Sequence, residues 1–187
     1  MYLIVGLGNP DAKYAKNVHN LGFMAIDEVA KKLNIEFTKK AFKGVVAETN
    51  YKGQKVVLLK PHTYMNLSGD SVRQALTFYK LSTQNLIVLY DDIDIPLGSL
   101  RIRPKGSAGT HNGMRDVVAK ISSEDFPRIR IGAKPKDGYA NILDFVLSDI
   151  KKQDEPIYSE VFNRSANAIM EILNGTTIEN TMNKFNG

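Results

Sequence analysis

Cysteine is absent from the 187 residues. That excludes disulfide scaffolds, cysteine metal sites and thiol nucleophiles, and it agrees with a reducing compartment. Neither a Gly-x-Ser-x-Gly elbow nor a His-Glu-x-x-His pair occurs, so covalent serine chemistry and zinc hydrolysis both lack their sequence marks. No apolar run approaches bilayer length. The segment Tyr2-Leu3-Ile4-Val5 reads as a strand that starts at once, with no room for a signal peptide before it. The expectation is a cytoplasmic protein, with no membrane association, no metal and no cofactor.

One near-motif also fails by what it lacks. Gly6-Leu7-Gly8-Asn9-Pro10 follows the first strand as a dinucleotide fingerprint would, yet it has no third glycine opening a helix and no ribose-binding acid. Pro10 removes a backbone donor where a pyrophosphate would need one. The segment reads instead as a strand end and a tight turn leading to His19.

What is present suits one core. At 43% hydrophobic and 24% charged residues, the chain reads as a single domain over residues 1–187. The net charge of +5 is unevenly spread: from Arg101 to Lys136 nine basic residues face three acidic ones, leaving that segment +6 and the rest slightly negative. Such a concentration is either a solvated face or the electrostatic footprint of a phosphate-bearing partner.

Periodicity predicts alternating strands and helices. Tyr2–Val5 reads as a buried strand, and Asn20 as the cap of a helix carrying Phe23, Ile26, Ala30 and Leu33 at helical spacing. Residues 43–50 and 55–60 flank a turn and read as a hairpin, which makes the sheet mixed. Ser68 is placed as the cap of a helix ending at Tyr79. Leu86–Tyr90 is a continuous apolar strand that ends at Asp91, Asn112–Ile121 is a helix, Arg128–Ala133 alternates as a strand, and Ile157–Leu173 is amphipathic. The fold class expected is α/β, a three-layer α/β/α domain with a twisted mixed sheet. Ligands of such sheets collect beyond the carboxyl ends of strands, where Asn9, Asn66, Asp91 and Asn112 would converge with His19.

Five motifs then occur in order: Gly6-Leu7-Gly8-Asn9-Pro10, His19-Asn20-Leu21-Gly22-Phe23, Met65-Asn66-Leu67-Ser68-Gly69, Asp91 after its strand, and Gly106-Ser107-Ala108-Gly109-Thr110-His111-Asn112-Gly113. Together they resemble the bacterial peptidyl-tRNA hydrolase family, from Leu3 to the closing Met182-Asn183-Lys184-Phe185-Asn186-Gly187. The chain departs from the family at Asn17-Val18, where Thr-Arg is usual, and at Asp11, where glycine is usual.

The resemblance implies hydrolysis of the ester between a peptide, or an N-blocked amino acid, and tRNA, by a monomeric, RNA-binding, cytoplasmic enzyme. It makes His19 the catalytic base, with Asp91 on the other ring nitrogen fixing the tautomer, and water the nucleophile. Asn9, Asn66 and Asn112 become donors and acceptors for the peptide and the ester carbonyl. Tyr14, Tyr64 and Met65 become pocket walls. Arg103 and Arg130 take the tRNA phosphate, with Lys105, Arg101 and Lys134 extending the basic surface. Residues 134–141 read as a lid or as an idle loop. His62 and His111 are read as ordinary structural histidines. Two other readings stay open: a non-catalytic RNA-binding module of the same fold, and a nucleoside-binding enzyme on a related sheet.

Overall fold

The computed structural model describes all residues from Met1 to Gly187. The chain runs through β1 (Tyr2–Gly6), α1 (Leu21–Leu33), β2 (Lys39–Ala41), β3 (Gly44–Tyr51), β4 (Gln54–Pro61), α2 (Ser68–Tyr79), β5 (Leu86–Pro96), β6 (Leu100–Arg103), α3 (Asn112–Ile121), β7 (Arg128–Lys134), α4 (Ile142–Val146), α5 (Glu155–Leu173) and α6 (Ile178–Phe185). The seven strands form one sheet in the order β2-β3-β4-β1-β5-β7-β6. Strand β1 runs parallel to β4 and β5, and β5 parallel to β7, while β2, β3 and β6 pair antiparallel. The sheet is mixed, as the hairpin requires.

Alternation along the central strands divides the apolar side chains between two faces. Ile4, Leu58, Ile87 and Leu89 pack with residues of α1 and α5, including Ile26, Val29, Val161 and Ile169. Leu3, Val5, Leu59 and Val88 pack on the opposite face with Val72 and Leu76 of α2 and Met114 and Val117 of α3. Helix, sheet and helix therefore stack in three layers, the expected α/β/α arrangement.

Several local expectations are corrected. Strand β5 does not end at Asp91 but continues to Pro96, through an irregularity between Asp92 and Pro96 in its pairing with β7. The reason the Asp91 carboxylate is nonetheless available lies in the neighbour: β1 stops at Gly6, opposite Leu89, so β5 has an open flank beyond that point. Asn20 and Ser68 are not side-chain caps. The Asn20 amide bonds the Asn9 backbone on both sides, and the Ser68 hydroxyl donates to the Met65 carbonyl. The short strands β2 and β6 were not anticipated; each is brief and partly exposed, with no long apolar alternation to announce it.

The glycines near the start have a different use from the one expected. Gly6 and Gly8 keep ordinary negative φ, so a left-handed turn is not what they supply. They supply closeness. A Cβ on Gly6 would run into the Gly22 carbonyl oxygen, one on Gly8 would lie 2.6 Å from the Phe23 ring, and one on Gly22 would lie 2.6 Å from the Leu7 backbone. Helix α1 therefore starts almost in backbone contact with the end of β1 and with β5, which delivers His19 to the open flank beside Asp91.

Candidate active site

Two imidazoles converge on Asp91. His19 Nδ1 lies 2.8 Å from one carboxylate oxygen and His111 Nε2 lies 2.9 Å from the other. The tautomers follow from the remaining contacts. His111 Nδ1 accepts the Met114 backbone N–H at 3.1 Å, so its proton sits on Nε2 and is donated to Asp91. His19 donates through Nδ1, which leaves the lone pair of Nε2 free. The two rings stand 4.9 Å apart.

Electrostatics favour a charged pair once a proton arrives. Burial opposes a charge on His19, but the adjacent Asp91 and its hydrogen bond outweigh that effect and raise the imidazole above its ordinary value of 6.5. Asp91 is almost fully buried, which by itself would raise its pKa. The two histidines together outweigh burial and hold the carboxyl well below the usual range. Asp91 is thus a permanent anion with both oxygens engaged. His19, Asp91 and His111 also place one ligand atom each within 4.8 Å of one another, with both Asp91 oxygens already engaged by the imidazoles.

The pair opens into a cleft of about 770 Å³. Its walls include His19, Asp91, His111 and Asn112, the basic residues Arg103, Lys105, Arg128 and Arg130, and Ile142, Leu143 and Val146 of α4. The sequence segment 134–141 thus leads into a short helix whose apolar residues border the cleft. Register makes the basic wall dense. Arg101 of β6 pairs with Arg130 of β7, and Arg103 with Arg128, so four arginines share one face of two adjacent strands. Like charges directly opposite repel. Only Arg130 has a carboxylate partner, Asp92 at 2.7 Å. Arg128 is buried and spends its donors on the Phe126, Glu124 and Ser107 carbonyls. Burial and the charges of Arg101 and Arg130 depress the Arg103 pKa, so this guanidinium stands among cations without a counterion.

The remaining expected residues separate into those the structure brings together and those it does not. Asn9 is buried; its Oδ1 accepts the Met65 N–H at 2.8 Å, and its backbone is held by Asn20, the residue after His19. Its Nδ2 makes no hydrogen bond within the protein. Asn66 and Asn112 are exposed with their amides equally uncommitted, but only Asn112 borders the cleft. Tyr14, Tyr64 and Met65 lie outside the cleft wall. Tyr64 takes a positive φ of 64° and its hydroxyl donates to the Asp11 carboxylate, at 3.1 and 3.2 Å to the two oxygens. Lys134 is exposed and off the cleft, whereas Arg101 sits on the basic face.

His111 is the residue that sequence reasoning missed. It does cap α3, as a structural histidine would, and it also holds Asp91. The signal available was its place beside Asn112 in the glycine-rich motif. The departures from the family are accounted for locally: Val18 is buried, and Asn17 Nδ2 donates to Asp149 at 2.7 Å.

Comparison with known proteins shows the family to which the whole chain is similar. Residues 3–187 match the family model described as peptidyl-tRNA hydrolase. A Clostridium botulinum protein of that name is 48% identical over 188 residues, covering all of this chain and 96% of the relative. The crystal structure of peptidyl-tRNA hydrolase from Acinetobacter baumannii superposes with a TM-score of 0.92 at 31% identity, covering all of this chain and 95% of that one. A 5′-methylthioadenosine nucleosidase from Arabidopsis thaliana, covering 96% of this chain and 98% of its own, shares the fold alone, with a TM-score of 0.56 at 8% identity.

Proposed function

The chain belongs to the peptidyl-tRNA hydrolase family, and from that premise we propose that it hydrolyses the ester joining a peptide to the terminal ribose of tRNA through a water activated by His19. The observation that carries this mechanism is His19, whose Nδ1 is held by Asp91 at 2.8 Å and whose Nε2 is left free, on the wall of a cleft lined also by arginines. Neutral Nε2 takes a proton from water as the oxygen attacks the ester carbonyl. Asp91 stabilises the imidazolium that results, and the proton then passes to the departing ribose oxygen. His111 keeps Asp91 in place.

Uncommitted amides suit the rest of the ester. Asn9 Nδ2, Asn66 and Asn112 supply donors for the carbonyl oxygen and the peptide backbone without a buried charge. Tyr14, Tyr64 and Met65 serve as walls for the substrate on the Asn9 side. Arg103, Lys105 and Arg130 take tRNA phosphate, and the crowding of cations on one sheet face is relieved when the anion arrives. We read the enzyme as a single-domain monomer. No helix is long and apolar enough to cross a membrane, and we place the enzyme in the cytoplasm, where it recycles tRNA from abandoned peptides. A purely RNA-binding role has no use for a histidine whose tautomer is set by a buried carboxylate.

The test is release of free tRNA from an N-blocked aminoacyl-tRNA, compared with the same ester bearing a free amine. Rapid release from the blocked ester, abolished in His19→Ala by about 10²–10⁴-fold, is expected. Equal rates for the parent and His19→Ala would remove His19 from the mechanism.

A further inference from the structure

The closing Phe185-Asn186-Gly187 is not accounted for by the chemistry above, and its contacts are specific. Strand β6 is the edge of the sheet, paired on one side only, with β7. Antiparallel pairing uses alternate residues, so the N–H and C=O groups of Leu100 and Ile102 point outward, where an edge strand ordinarily offers them to water or to another chain. Here both are taken. Leu100 exchanges two backbone hydrogen bonds with Gly187, at 3.0 and 3.1 Å. At Ile102 the partner is a side chain: Asn186 Oδ1 accepts the Ile102 N–H at 2.6 Å and Asn186 Nδ2 donates to the Ile102 carbonyl at 3.3 Å. A carboxamide has the same donor and acceptor as a peptide group, and this one stands in for the next residue of a ladder. Arg164 fastens the arrangement from α5, donating to the carbonyls of Gly98, Phe185 and Gly187.

Ile102 lies between the two cationic residues of β6, Arg101 and Arg103. Both repel the cations of β7 opposite them, and neither has a carboxylate to hold it. Facing like charges oppose the pairing of β6 with β7, and the outward side of β6 is where Asn186 grips it.

We propose that Asn186 is a positioning residue for tRNA binding: its carboxamide holds β6 against β7 so that Arg101 and Arg103 meet the phosphate in register with Arg130. This rests on the tRNA placement proposed above. Asn186 touches neither the ester nor the phosphate, so it acts through the strand alone.

The experiment compares Asn186→Ala, Asn186→Asp and Arg103→Ala with the parent. Two substrates are used, full-length N-blocked aminoacyl-tRNA and a minimal ester that ends before the acceptor duplex. Binding of uncharged tRNA is titrated with salt in parallel. For Asn186→Ala, KM on the full-length substrate should rise about three- to tenfold, the scale of one lost hydrogen-bonding partner, with kcat unchanged. The minimal ester should be cleaved at the parental rate. The salt slope should flatten toward that of Arg103→Ala, which loses about one contact. Asn186→Asp keeps the acceptor for the Ile102 N–H and should recover part of the binding. If Asn186→Ala leaves KM and the salt slope unchanged while Arg103→Ala alters them, the positioning role is wrong and the tRNA placement stands. If Asn186→Ala lowers turnover of both substrates alike, the tail is a general stabiliser and the proposal is equally overturned. If Arg103→Ala itself changes nothing, the tRNA placement fails and the role of Asn186 fails with it.

Discussion

His111 donates through Nε2 to the Asp91 oxygen that His19 leaves open, at 2.9 Å. This bond shares the negative charge that His19 would otherwise have to itself. Replacing His111 with Asn keeps a good helix cap for the Met114 N–H, but stability should still fall by about 1–3 kcal/mol because the buried Asp91 carboxylate is left short of a partner. The donor to Asp91 is lost. With its charge no longer shared, Asp91 should favour the His19 imidazolium more strongly, moving the acid limb of the kcat profile to higher pH. The maximal rate should fall about tenfold, because a carboxylate released on one side holds the His19 ring less firmly and a misplaced base costs rate. Steady-state kinetics from pH 5 to 9 on a minimal ester provide the check, and an unshifted limb would detach His111 from the reacting pair.

Asp91→Asn should shift the limb in the opposite direction. In the parent, Asp91 raises the His19 pKa, so the neutral base forms only as the pH rises through a midpoint above 6.5. Without the carboxylate the burial of His19 remains and lowers its pKa, placing the midpoint below 6.5. The plateau itself should drop about a hundredfold or more, the lower range of what a positioned base contributes. An amide oxygen can accept from only one of the two imidazoles, and its NH₂ confronts the other. A profile with the parental midpoint would show that Asp91 does not govern His19.

Asn9 has two ends with separable duties. Asn9→Asp keeps the acceptor for the Met65 N–H and removes the uncommitted donor. The unpaired carboxylate costs some stability at a buried position, while kcat falls about 10²–10³-fold, the usual loss for a donor to a developing oxyanion. Asn9→Ala removes both and strands the buried Met65 N–H, for a stability loss of about 1–3 kcal/mol. Thermal melts and single-turnover rates of the two variants separate these effects. Parental turnover in Asn9→Asp would mean that Nδ2 plays no part.

Gly22→Ala should be among the most damaging small substitutions in the protein. Its methyl would collide with the Leu89 carbonyl oxygen and lie 2.6 Å from the Leu7 backbone, and neither strand can yield without moving the sheet. Overpacking of this kind costs about 1–3 kcal/mol, and contact with backbone places it at the upper end. Chemical denaturation would measure it. A loss below about 0.5 kcal/mol, the range of surface substitutions, would mean that α1 can slide along the sheet.

Much of this was legible beforehand because apolar periodicity announces buried elements. Tyr2–Val5, Leu86–Tyr90 and the hairpin strands declared themselves in that way, and the motifs carried His19, Asp91 and the asparagines. Pairwise distance was not legible. Nothing in the order of residues says that one carboxylate serves two imidazoles from positions 72 and 20 residues away. Strand β6 was hidden for a related reason: four residues with two arginines look like a charged loop until β7 pairs with them and the tail covers their far side. Glycine was misread in kind. Gly6 and Gly8 suggested a turn because sequence shows the missing side chain and not the neighbour that needs the space.

The central position of β1 has a consequence for the order in which the molecule can be built during its own synthesis. Strand β1 is made well before its partners β4 and β5, which begin at Gln54 and Leu86. The base is therefore present early and has no carboxylate to face until half the chain has emerged. The basic face waits longer, for Arg128 and Arg130, and its outer edge is sealed only by Asn186 and Gly187. Domains generally fold as units, N-terminal portions first where the topology permits. This topology does not permit it. A copy abandoned before β7 would hold His19 and Asp91 without the wall of arginines, and one lacking Asn186 and Gly187 would leave the outer edge of β6 uncovered.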